Sequence, residues 1–122
     1  VSKQLSGDIA RADSLAREIF SDIANKWALL IIEEIGDRTR RFTELKTGVD
    51  GISHKMLTQN LRLLERNGLI SRVVHPTVPP RVDYALTEPG RALRGIVDGM
   101  CDWTQRYLGE IEEARGRFGR SQ

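Results

Sequence analysis

A single cysteine, Cys101, stands in 122 residues. One thiol rules out an internal disulfide framework and suits a reducing compartment. Long apolar runs are missing as well. The longest, Trp27-Ala28-Leu29-Leu30-Ile31-Ile32, falls far short of the ~18 residues that cross a bilayer, and the run from Val1 to Ser6 shows no hydrophobic signal segment. A cytoplasmic protein without a membrane partner is expected. Histidine is scarce. His54, His75 and Cys101 have no metal-ligand spacing, and no carboxylate pair, glycine-rich phosphate loop or nucleophile motif accompanies them. Neither a metal, a cofactor nor catalysis is expected.

Charge, in contrast, is plentiful and unevenly placed. The net charge is only +2. Between Arg38 and Arg81, however, nine basic residues (Arg38, Arg40, Arg41, Lys46, Lys55, Arg62, Arg66, Arg72, Arg81) meet three acids (Glu44, Asp50, Glu65). That segment carries +6, which leaves −4 for the rest. A basic middle between acidic flanks is the pattern of a polyanion-binding face, against the plainer reading of a mixed solvated surface.

Periodicity divides the chain into elements. Asp8 or Asp13 caps a first helix that runs to about Ala24, with Leu15, Ile19, Phe20 and Ile23 at helical spacing. A second helix over Lys26–Ile35 stops at Gly36 and is apolar enough to be central. Arg40-Arg41-Phe42 suits a one-rung strand, and Thr43–Lys46 a brief third helix. After turn residues Gly48 to Gly51, Ser53 caps a fourth helix that Asn67-Gly68 closes. Leu57, Leu61 and Leu64 form its buried stripe. His54, Lys55, Thr58, Gln59, Arg62 and Arg66 form the opposite face. Leu69–His75 and Arg81–Leu86 pair as a hairpin around Pro76–Pro80. Thr87 then caps one long last helix, with Leu93, Ile96, Met100, Trp103 and Tyr107 along a seam, and the tail from Arg115 is expected to fray.

This is the order of a winged helix-turn-helix: a mainly α fold with a small β-hairpin wing (α+β). One domain over 1–122 is expected, with a DNA-binding core at about 25–87 and dimerisation helices at about 9–24 and 88–114. B-DNA's major groove admits one α-helix. The helix from Ser53 has an apolar face for its own domain and a polar, cationic face for double-stranded DNA. Gln59 suits adenine, Lys55 or Arg62 suits guanine, and Ser53 with the free amides suits a phosphate. Arg40, Arg41, His54 and Thr58 lie beside these readers. Arg72, His75 and Arg81 flank the wing turn, with Arg81 as the foremost phosphate candidate; the alternative is an arginine bridged to Asp83. Standing alone, the fourth helix would equally suit a surface helix that touches nothing, and a winged helix that binds protein without DNA is the competing class.

Two reading helices on a twofold axis read two half-sites, so a homodimer is expected. Leu93, Ile96, Met100, Trp103 and Tyr107 would form its interface, joined by Leu15 and Ile19. Cys101 is either a buried inert thiol or a redox-sensitive one that meets its copy across the dimer. Phe20, Trp27, Trp103 and Tyr107 are either core or the lining of a pocket for a small-molecule effector.

Several separate runs resemble the HxlR-type winged-helix regulators of the MarR-like group. They are Asn25-Lys26-Trp27, Arg41-Phe42-Thr43-Glu44-Leu45, the stretch Gly51 to Arg62, Glu65-Arg66-Asn67-Gly68-Leu69-Ile70, and the stretch Pro79 to Gly90. The resemblance extends from about Ser14 to Tyr107. It implies bacterial or archaeal DNA-binding homodimers, habitually repressors, whose terminal helices form the dimer. It assigns the reading helix to Ser53–Asn67 and the wing to Arg72–Arg81. It also matches Lys26 to a lysine that meets a phosphate at the start of the second helix. Where many of these regulators carry a sensing Cys-Pro pair, this chain has Ser14-Leu15, so thiol sensing at that site is not available.

Overall fold

The computed structural model describes residues 2–121. Its elements are α1 (Ser2–Ile23), α2 (Lys26–Ile35), β1 (Arg40–Arg41), α3 (Phe42–Gly48), α4 (His54–Arg66), β2 (Ile70–His75), β3 (Arg81–Leu86), α5 (Glu88–Arg106) and α6 (Leu108–Arg120). None of the described helices is long and apolar enough to cross a membrane.

The centre is α2. The Asn25 side chain accepts from the Ala28 amide at 3.0 Å and starts the helix. Gly36 ends it at φ +56°, where an L side chain would be strained. Between these caps Ala28, Ile31, Ile32 and Ile35 are completely buried. Around them close Ile23 of α1, Leu45 of α3, Leu57, Leu61 and Leu64 of α4, and Tyr84 and Leu86 of β3. Each fully buried leucine or isoleucine contributes about 1.5–3 kcal/mol relative to exposure. At the far end of α4, Asn67 Nδ2 donates to Asp22 Oδ2 at 3.0 Å and ties the helix to α1.

The hairpin belongs to a three-stranded antiparallel sheet in the order β1-β3-β2. Arg72 stands opposite Tyr84 and His75 opposite Arg81, while β1 sets Arg40 opposite Tyr84 and Arg41 opposite Asp83. α3, the turn and α4 with the β2–β3 ribbon thus make the winged helix-turn-helix that the element order predicts.

α5 is stapled to the corner between α4 and β2. Thr87 Oγ1 accepts from the Gly90 amide at 3.2 Å and donates to the Gly68 carbonyl at 2.6 Å. A Cβ on Gly90 would stand 1.9 Å from the Leu69 carbonyl oxygen, so only glycine allows this approach. Further along, the Arg94 guanidinium reaches Glu33 at 3.4 Å and Asp37 at 3.6 Å, linking α5 to α2. Burial, and then the neighbouring Asp98 carboxyl, push the Glu33 carboxyl above its ordinary range.

Both ends of the chain depart from expectation. α1 begins at Ser2, so Asp8 and Asp13 are not caps; they pair within the helix with Arg11 and Arg17. The single last helix is in fact two. It breaks at Tyr107 (φ −110°, ψ 17°), just before the poor helix former Gly109. The tail does not fray but continues as α6 to Arg120, which Glu113–Arg117 pairing supports.

The terminal helices leave much apolar surface uncovered. Ile9, Leu15 and Phe20 of α1 and Ile96, Met100 and Trp103 of α5 are all more than half exposed, and Tyr107 is 38% exposed. Ile19 and Leu93, expected on this seam, pack against the core instead.

Gly90→Ala should lower unfolding free energy by about 1–3 kcal/mol, because a backbone carbonyl blocks the methyl. Gly95→Ala, which meets nothing within 4 Å, should raise it by about 0.5–1 kcal/mol. Urea denaturation of both variants checks the contrast.

Candidate nucleic-acid interface

The reading helix is fixed by what lies beneath it. Ser53 caps α4, its Oγ accepting from the Met56 amide at 3.1 Å, so this hydroxyl is engaged in the cap. Leu57, Asn60, Leu61 and Leu64 are buried. That leaves Ser53, His54, Lys55, Gln59, Arg62 and Arg66 exposed and Thr58 half-buried. From His54 to Arg66 these side chains line one shallow concave strip. The first of them is also braced: the His54 ring packs against Phe42, centroids 4.9 Å apart.

The wing joins this strip on one side only. Thr58, Arg62 and Glu65 of α4 share a groove with Arg72 and Tyr84 of the sheet. Arg72 points this way because its register partner, Tyr84, belongs to the core-facing row. His75 and Arg81 belong to the other row, and the structure does not bring them to the strip. They gather on Asp83, at 2.9 Å from His75 Nε2 and 3.4 Å from Arg81 Nε. Arg41 stands opposite Asp83 across the neighbouring strand pair and is exposed. The bridge to Asp83, held open as the alternative for Arg81, is therefore the one that forms.

Arg40 is a correction to the expected surface. Its side chain is only 13% exposed and pairs with Glu34 Oε1 at 2.8 Å, joining β1 to α2. Among the described residues no ion pair engages Lys26, Arg41, Lys55, Arg62, Arg66 or Arg72. Lys26 is exposed and sits 4.6 Å over the Trp27 ring. Trp27 is half-buried against the core and faces Gly51, in the turn that leads into α4. Phe20 and Trp103 are exposed, and the Trp103 ring lies 5.9 Å from that of Tyr107. Cys101 is exposed on α5, contrary to the inert buried reading.

Sequence reasoning missed one residue that shapes the site: Phe42, which braces His54. Asp83, the alternative partner for Arg81, holds His75 as well.

Arg40→Ala should destabilise the fold by about 1–3 kcal/mol, since it leaves Glu34 without its charged partner. Arg41→Ala should change stability by less than about 0.5 kcal/mol. Thermal melts of the two variants separate the internal arginine from the surface one.

Residues 22–112 match the family model described as HxlR-like helix-turn-helix. The chain is 34% identical over 116 residues to the HTH-type transcriptional regulator YtfH of Escherichia coli K12, spanning 94% of this chain and 92% of that protein. Among solved structures, a transcriptional regulator of the MarR family from Porphyromonas gingivalis W83 superposes with a TM-score of 0.67 at 41% identity, covering 74% of this chain and 88% of that one. The diamide-treated YodB of Bacillus subtilis gives a TM-score of 0.66 at 36% identity, covering 75% and 90%.

Proposed function

The chain belongs to the HxlR-like helix-turn-helix family of transcriptional regulators, and we propose that it works as a homodimeric repressor that reads duplex DNA sequence-specifically. One observation carries this reading. Lys55, Gln59, Arg62 and Arg72 stand without ion pairs along one connected surface, while the opposite side of α4 is locked in the core.

A helix of this kind enters the major groove with its N-terminal half foremost. Gln59 presents both an acceptor and a donor, the pair that adenine matches in the groove. Lys55 and Arg62 meet guanine O6 and N7 or the phosphates beside them. Arg72 follows the backbone flanking the groove, and Lys26 and Arg41 lie at its margins as further phosphate contacts. His75 and Arg81 are both held by Asp83 and are the weaker contacts in this scheme. The exposed apolar faces of α1 and α5 are what a second copy covers. Two reading helices then address two half-sites, and the bound dimer occludes the promoter.

Fragments selected from genomic DNA by the purified protein supply an operator, and fluorescence anisotropy then compares variants on operator and random duplex. Gln59→Ala should lose about tenfold or more on the operator and little on random DNA. Arg72→Ala should weaken both by a similar factor and flatten the salt slope by about 2, about 0.9 for each subunit of the dimer. Equal losses on both duplexes for Gln59→Ala would remove it as a reader.

A further inference from the structure

The sheet leaves one stretch of strand edge without a neighbour. β1 has only two residues and pairs with Asp83 and Tyr84; at Phe42 the chain turns away into α3. Arg81 and Val82, the first residues of β3, therefore have β2 on one side and no strand on the other. A groove of about 500 Å³ lies there, between the start of α3 and the wing turn. Its lining divides by chemistry. Phe42, Val82 and the turn Val78-Pro79-Pro80 give apolar walls, and Arg41 and Arg81 bring two guanidiniums. These walls are held in place. Phe42 and Val82 rest on the core. Thr77 braces the turn, its Oγ1 donating to the Pro79 carbonyl and its amide to the His75 carbonyl, both at 2.8 Å. None of the lining residues belongs to the strip along α4.

We propose that this groove binds a small organic monocarboxylate with an aliphatic body, its head group on Arg41 and Arg81 and its chain along Val82 and the proline turn. Charge selects the head group. Arg41 is exposed and in no ion pair among the described residues. Arg81 reaches Asp83 only at 3.4 Å, and its Nε is buried without a hydrogen-bond partner, so a donor there lacks its acceptor. Two guanidiniums beside one carboxylate, Asp83, leave positive charge in excess, and an anionic head group offsets it. Glu44 does not fill that role: its carboxylate accepts from the Arg41 backbone amide at 2.8 Å and does not line the groove. A guanidinium fork receives a planar carboxylate in bidentate fashion. The walls select the body. A bare phosphate gains nothing from five apolar side chains, whereas an alkyl chain is driven onto them. The volume falls within the ~300–1,000 Å³ of small-molecule sites, and so does the mixture of apolar walls with a few placed polar groups. The site stands independently of the DNA reading, but its consequence rests on it. Arg41 is a phosphate contact in that reading, so carboxylate and duplex compete for it.

Octanoate is the probe, with octanol matching its chain and acetate its charge. In NMR titrations of the isotope-labelled full chain, octanoate should shift the amides of Arg41, Thr43, Val78 and Val82 with a Kd of about 1 mM or tighter. Octanol and acetate should each bind about tenfold more weakly or worse, and Arg41→Gln should weaken octanoate by a similar factor. Lys46→Gln, an exposed cation of α3 outside the groove, should leave octanoate binding unchanged. Shifts confined to the exposed apolar faces of α1 and α5, or octanol binding as well as octanoate, would overturn the site. Fluorescence anisotropy at matched ionic strength then reads the competition. Saturating octanoate should lower duplex affinity about threefold or more, and Arg41→Gln should abolish that effect. Groove shifts with undiminished duplex affinity would overturn the competition and leave the site standing. A chain that takes octanoate in the groove but binds no duplex would overturn the DNA reading alone.

Discussion

Burial of Leu57, Leu61 and Leu64 against Ile31, Ile32 and Ile35 is the contact on which the rest of the structure depends. At about 1.5–3 kcal/mol for each buried leucine, the α4 stripe contributes an amount comparable to the whole net stability of a typical domain, about 5–15 kcal/mol. Turning α4 by even one residue would expose that stripe and bury Lys55 or Arg62. The outward face is therefore set by hydrophobic packing before any ligand is present. This is the pre-organisation that a reading surface needs, because side chains already in place lose less freedom on binding.

Electrostatics then sorts the arginines by use. Arg40 and Arg94 are structural: one joins β1 to α2 through Glu34, the other joins α5 to α2 through Glu33 and Asp37. His75 and Arg81 are tethered to Asp83, whose carboxylate offsets the Arg81 charge on the outer row of the wing. Among the described residues between Arg38 and Arg81, Arg38, Arg41, Lys46, Lys55, Arg62, Arg66 and Arg72 are in no ion pair, and four of these lie along α4 or beside it. The +6 of the middle segment is therefore a ceiling on the charge available to a duplex. The usable part is concentrated where α4 and the core-facing row of the wing converge.

Much of this was legible from residues alone. Ser53 and Thr87 announced their helices because a side-chain oxygen before an apolar stripe is a local signal. Gly36, the leucine stripe and the proline turn were local in the same sense. Contacts made across strands were harder to see. Arg40 looked like one more basic residue, because its partner Glu34 comes near only when the chain turns back after α2. The division of Arg72 from His75 and Arg81 depends on strand register, and so does the meeting of His75 with Asp83. At the termini, apolar residues serve two surfaces at once. Ile19 and Leu93 turn toward the core while Leu15 and Ile96 remain outside, and spacing alone does not tell these apart. The break at Tyr107 had only the weak signal of Gly109.

The central claim is that α4 and the adjoining wing row form one cationic face that engages phosphates. The salt dependence of duplex affinity measures this most directly. If Lys55, Arg62 and Arg72 of each subunit in a dimer neutralise phosphates, the plot of log affinity against log salt should fall with a slope of about −5. That corresponds to about a thousandfold loss between 50 and 200 mM salt. Affinity that barely changes across that range would contradict the account.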